Sequence, residues 1–122
     1  MPGTRRFLDT NILLYAATDD SRKAEIAEML LAENPVISVQ VLNEFANTAR
    51  KKYAASWEDI SGFLESVRSL CEVEPLTEAT HAKALALAER YQLHIYDANI
   101  WAAAIIADCD TLCSEDMQHG LA

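Results

Sequence analysis

Arg5-Arg6-Phe7-Leu8-Asp9-Thr10-Asn11-Ile12-Leu13 is the stretch that decides how the chain folds. A short extended run, Arg5 to Leu8, stops at Asp9, and a helical segment follows over about Asn11 to Ala17. A strand that turns directly into a helix is the opening of a βα unit. The same alternation continues down the chain. Further extended runs are read at Val36-Ile37-Ser38, entered through Asn34-Pro35, around Val73-Glu74-Pro75-Leu76, and at Thr111-Leu112-Cys113-Ser114. Pro75 suits an edge position, because proline cannot donate to a ladder.

Helices are expected in the gaps. Ser21 to Leu31 is rich in good helix formers. Leu42, Phe45, Ala46, Ala49 and Tyr53 recur at helical spacing, which predicts a helix over about Gln40 to Tyr53. Ser56-Trp57-Glu58-Asp59 resembles a capping box with Asp in place of Glu, and Ile60, Phe63, Leu64 and Val67 form the apolar stripe behind it. Thr77 opens a helix to about Tyr91. The last helix, Asp97 to Ala107, is apolar nearly all round, the mark of a buried central helix. Strands alternating with helices predict an α/β domain on a parallel sheet, with Arg5 to Leu8 at its centre.

The 122 residues suit one domain over 1–122, and 51% hydrophobic residues suffice for a core without disulfides. No apolar run approaches the roughly 18 residues that span a bilayer, and the N-terminus is not a secretory signal, so a cytoplasmic location is expected. Cys71, Cys109 and Cys113 have no clustered partners that would complete a zinc site, and are read as buried thiols. The net charge of −9 argues against a nucleic-acid partner unless metal ions neutralise part of it. Basic residues are nevertheless grouped at Arg5-Arg6, Arg22-Lys23 and Arg50-Lys51-Lys52, and local field rather than total charge guides a ligand.

Four acids stand out by position. Asp9 ends the first strand, Glu44 follows the second on its helix, Asp97 opens the buried helix, and Asp116 lies just past the last strand. Taken singly, Asp97 is an N-cap, Asp9 a turn residue and Glu44 a solvated helix position. Taken together, independent strand-end junctions deliver carboxylates to the edge where parallel sheets bind ligands. Hard oxygen donors without Cys or His favour Mg²⁺ or Mn²⁺ over zinc.

Phe7-Leu8-Asp9-Thr10-Asn11-Ile12-Leu13 resembles the opening motif of PIN domains. Ile37-Ser38 with Asn43-Glu44-Phe45 resembles their second acidic element, Tyr96-Asp97-Ala98 the third, and Ser114-Glu115-Asp116-Met117 the fourth. The resemblance implies a three-layer α/β/α domain with a central parallel sheet. It also implies a Mg²⁺- or Mn²⁺-dependent endoribonuclease acting on single-stranded RNA, of the VapC toxin type, silenced by an antitoxin. Asp9, Glu44, Asp97 and Asp116 take the acidic positions, with Thr10, Asn11 and Ser114 orienting them or an attacking water. Members of the family continue into a final edge strand, which is expected to be missing here, leaving about four strands. A homodimer is expected, with Ile12, Leu13, Ile26, Met29 and Leu30 supplying apolar surface.

Other residues have lesser roles. Glu115 is an alternative ligand to Asp116, and His119 is either a loop residue near the site or a contact to RNA phosphate. His81 and His94 are expected at the surface. Trp101 is expected to pack and Trp57 to pack or, if exposed, to stack on a base. Arg50-Lys51-Lys52 is either a solvated helix end or a guide for the RNA backbone. A haloacid dehalogenase-like phosphatase needs a second Asp where Asn11 stands, and a lysine later than Lys83, the last one present. A response-regulator receiver fails for the same lysine. The non-enzyme alternative is a catalytically silent PIN-like interaction domain.

Overall fold

The computed structural model describes residues 5–114 and the backbone of 118–120. Four parallel strands, β1 (Arg6–Leu8), β2 (Val36–Ser38), β3 (Glu72–Glu74) and β4 (Thr111–Cys113), form a sheet with a fifth, β5 (Gln118–Gly120), antiparallel to β4. The order is β3-β2-β1-β4-β5, so β1 is central and β3 is an edge, as the proline after it foretells. The expected absence of a final edge strand is therefore corrected. β5 is three residues long and pairs Gln118 with Cys113, and its composition carries no β-branched or aromatic signal by which it would be read from sequence.

Six helices fill the connections: α1 (Thr10–Ala16), α2 (Ser21–Leu31), α3 (Val39–Tyr53), α4 (Trp57–Leu70), α5 (Glu78–Tyr91) and α6 (Ile95–Ile106). Right-handed crossovers are the rule between parallel strands. The chain steps from β1 to β2 to β3 in one direction and then returns to β4 on the other side of β1. By that rule the reversal assigns α1 to α4 to one face and α5 and α6 to the other. It also makes the β1/β4 boundary the switch point of the sheet.

The core explains the strand sequences. Phe7 and Leu8 are fully buried, as are Ile37 and Val36 of β2 and Leu112 and Cys113 of β4. Ile100, Ala103 and Ala104 of α6 belong to the same cluster, so α6 packs on the sheet through small residues. Each large apolar side chain so buried contributes roughly 1.5–3 kcal/mol. Trp101 packs against this cluster, as expected.

Several local readings are corrected. Ile12 and Leu13 are buried in the core and offer no surface, whereas Ile26 and Met29 are 50% and 65% exposed. The last helix begins two residues before Asp97. Its N-cap is His94, whose Nδ1 accepts the Tyr96 N–H at 3.2 Å, and Asp97 sits inside the first turn. Ser56 does cap α4 by accepting the Asp59 N–H, but the reciprocal capping box forms at Thr77 and Thr80 instead. Cys109 and Cys113 are buried and Cys71 partly so. Burial pushes the Cys71 and Cys109 thiols up to about 11, which keeps them protonated and unreactive. Among the described residues no helix is long and apolar enough to cross a membrane.

Ser38 links fold to site. It ends β2, is almost wholly buried, and its hydroxyl accepts the Val41 N–H at the start of α3. Ser38→Ala removes that cap with little change of volume. It should cost about 1 kcal/mol, seen as a lower urea midpoint with an unchanged slope.

Candidate active site

A groove of about 1060 Å³ is lined by Asp9, Glu44 and Asp97, with Thr10 and Asn11 beside them. Each acid reaches it by a different route. Asp9 emerges where β1 ends, and its N–H donates to the Cys113 carbonyl at 2.9 Å, fastening it to β4 at the switch point. Its carboxylate caps α1, accepting the Thr10 N–H at 2.6 Å. Glu44 projects from α3 one and a half turns after Ser38. Asp97 occupies the first turn of α6, where the helix dipole favours a negative charge.

The three charges interact. Glu44 is half-buried, and its carboxyl lies above its ordinary value of 4.5, chiefly because burial disfavours the anion. Gln40 counters this by donating its Nε2 to Glu44 Oε2 at 2.9 Å. The negative charges of Asp9 and Asp97 raise it further, while His94 lowers it. The set is all-oxygen and under mutual repulsion, which fits a hard divalent cation. Among the described residues, no three acid, His or Cys groups are already drawn into a compact cage. Asp9 and Glu44 are each engaged by a hydrogen bond, from the Thr10 N–H and from Gln40.

Thr10 lines the groove, and its buried hydroxyl has no hydrogen-bond partner among the described residues. Asn11 lines it too. Ser114 lies past β4, next to Asp9 across the ladder, and is half-buried. Asp116 and Glu115 lie outside the described residues, as does the His119 side chain. His81 is at the surface, and so is His94, yet His94 stands within electrostatic reach of Glu44. Sequence reasoning missed Gln40, although its position four residues before Glu44 on one helix face was the available signal. It also missed Tyr15, Thr48 and Tyr53, which line the groove together with Lys23 of the Arg22-Lys23 pair. A second hollow, of about 900 Å³, lies between α3 and α4 against Val39, Leu42, Leu64 and Val73. It holds none of the candidate acids.

The PIN domain model matches residues 6–119. The chain belongs to the PIN domain family. PIN domains are nucleases, and the match spans all three described carboxylates and Asp116. Solved structures agree in fold. A toxin-antitoxin complex from Klebsiella pneumoniae superposes with a TM-score of 0.71 at 20% identity, covering 91% of this chain and 86% of that one. VapC20 from Mycobacterium tuberculosis, a Sarcin-Ricin loop cleaving toxin, gives 0.73 at 16% identity over 91% and 89%. VapBC2 from Rickettsia felis, bound to a DNA fragment from its promoter, gives 0.64 at 26% identity over 91% and 87%. The search of curated proteins gives no match.

The raised Glu44 carboxyl of this PIN domain has a stability consequence. Folding favours its protonated form, so the charged form costs stability above its folded pKa, and the cost vanishes below 4.5. In EDTA, Glu44→Gln should therefore melt higher than wild type at neutral pH, by ~1–4 °C. The difference should close as pH falls below the ordinary carboxylate value. Thermal melts of both proteins across that range check it, and a gap that widened in acid would contradict the assignment.

Proposed function

We propose that this PIN-domain protein is a divalent-metal-dependent endoribonuclease cutting single-stranded RNA, and the toxin of a VapBC-type toxin-antitoxin pair. The observation that carries the reading is the single groove shared by Asp9, Glu44 and Asp97 at the switch point of the sheet. Asp116, which follows β4 in sequence, is the fourth acid of the set. Mg²⁺ or Mn²⁺ is the fitting cofactor, because the donors are hard oxygens and PIN nucleases generally use divalent ions. When bound, such an ion activates water and stabilises the leaving oxygen of a phosphodiester.

The chain's own residues supply position. Asp9 is fixed by its capping bond and its backbone tie to β4, so its carboxylate is held on rigid structure. Gln40 fixes the orientation of Glu44. The Thr10 hydroxyl, buried and without a partner among the described residues, would hold a water or a carboxylate oxygen. The single domain over 1–122 and the cytoplasmic location are part of this reading. An antitoxin partner is supported by the toxin-antitoxin complexes among the structural neighbours. The exposed Ile26 and Met29 of α2 favour a homodimer, and light scattering tests it.

Cleavage of a single-stranded RNA by wild type and Asp9→Asn, in EDTA, Mg²⁺, Mn²⁺ or Ca²⁺, tests the chemistry. Asp9→Asn keeps the shape and removes a charge. Activity with Mg²⁺ or Mn²⁺ should fall ~10²-fold or more, while the fold survives. Ca²⁺ should bind without supporting cleavage, since its loose coordination positions water poorly. Equal cutting in EDTA, or full activity of Asp9→Asn, would sink the reading.

A further inference from the structure

The basic run that ends α3 is divided by the structure. Arg50 is engaged: its Nη1 donates to the Ala55 carbonyl at 2.9 Å, and its guanidinium lies 4.6 Å from the Trp57 ring centroid. Trp57 is exposed but stands outside the groove lining, as does Lys51. Lys52 alone of the three lines the groove, together with Tyr53, and it makes no ion pair among the described residues. The groove's other lysine, Lys23, sits over the Tyr15 ring at 4.8 Å.

Spacing gives Lys52 a place relative to the acids. Glu44, Thr48 and Lys52 are four residues apart, fall on one face of α3 and line the same groove. Eight residues at the α-helical rise put Lys52 about 12 Å along the axis from Glu44. At that backbone separation Lys52 is within range of a phosphate neighbouring the one held at the carboxylates. Tyr53, 63% exposed, stands next to it in the groove. A cation beside an open aromatic ring is the pairing by which proteins hold single strands, since the cation takes phosphate and the ring takes any base.

Resting on the nuclease reading above, we propose that Lys52 and Tyr53 form a subsite for a nucleotide flanking the cleaved bond. Lys52 receives its phosphate and Tyr53 stacks its base. Both are positioning residues, remote from the bond that breaks. The subsite demands an unstacked base and therefore selects single-stranded over duplex RNA.

The test measures affinity for a short fluorescein-labelled single-stranded RNA by anisotropy over a NaCl series with Mg²⁺. The Asp9→Asn background prevents turnover during binding, and cleavage kinetics are measured in parallel with Asp9 intact. Lys52→Ala should reduce the slope of log affinity against log salt by about 0.7, the loss of one phosphate contact on a single strand. It should raise KM several-fold with kcat little changed, and Lys52→Arg should restore both. Tyr53→Ala should weaken binding at least about fivefold, and Tyr53→Phe should not. Lys51→Ala should alter neither slope nor KM. An unchanged salt slope for Lys52→Ala, or an equal loss with Lys51→Ala, overturns the subsite while active wild type leaves the nuclease standing. Failure of wild type to cut RNA with Mg²⁺ or Mn²⁺ counts against the nuclease, and the salt slope still decides the subsite.

Discussion

The central position of β1 is the constraint from which the rest follows. With β2 on one edge and β4 on the other, its backbone groups are satisfied within the sheet and both of its faces are covered. Phe7 and Leu8 can be nothing but apolar there. After Phe7 and Leu8, the next residue free to carry a charge is the one at which the strand leaves the sheet, and that residue is Asp9. Its N–H still belongs to the ladder through Cys113, and its carboxylate already belongs to α1. A charged group anchored at both ends by backbone geometry is costly to move. This rigidity is what a site for a cation requires.

The same logic explains how the fold tolerates three acids facing one groove. Repulsion would expel them if each were free to swing away. Asp9 is held by the Thr10 N–H, Glu44 by Gln40, and Asp97 stands where the N-terminal end of α6 favours a negative charge. Each local bond offsets part of the electrostatic cost. The remainder shows as the upward shift of the Glu44 carboxyl, where burial outweighs the hydrogen bond. A fold selected only for stability would place an uncharged residue at that position.

Much of this was legible in the sequence because parallel sheets write themselves as short apolar runs ending in polar residues. The four parallel strands follow from that pattern, Ser21–Leu31 from its helix formers, and the order of the acids along the chain from the junctions. What escaped did so for identifiable reasons. His94 was overlooked as a cap because histidine is outside the usual capping residues, so α6 was started two residues late. Ile12 and Leu13 were read as surface because a short helix does not reveal which face meets the core until α2 and α3 are packed against it. β5 lacks the residue types that mark strands. The meeting of Asp9, Glu44 and Asp97 in one groove follows from topology, whereas the bond from Gln40 depends on a side-chain rotamer that the sequence does not show.

The acidity of the chain looks different once the groove is resolved along its length. A net charge of −9 is a statement about the whole surface, whereas a bound strand meets charges one phosphate at a time. Salt screens exposed charges beyond about 10 Å at 0.1 M. Glu44 and Lys52 stand about that far apart on one helix, as its rise dictates. A cation at the carboxylate end would turn that end attractive, and Lys52 needs no such help at the other. Helix α3 thus carries two electrostatically independent positions on a single rigid rod. The distance between their backbone positions is set by the hydrogen bonds of the helix. Register along a strand requires such a fixed separation, and an acidic protein can provide it as well as a basic one.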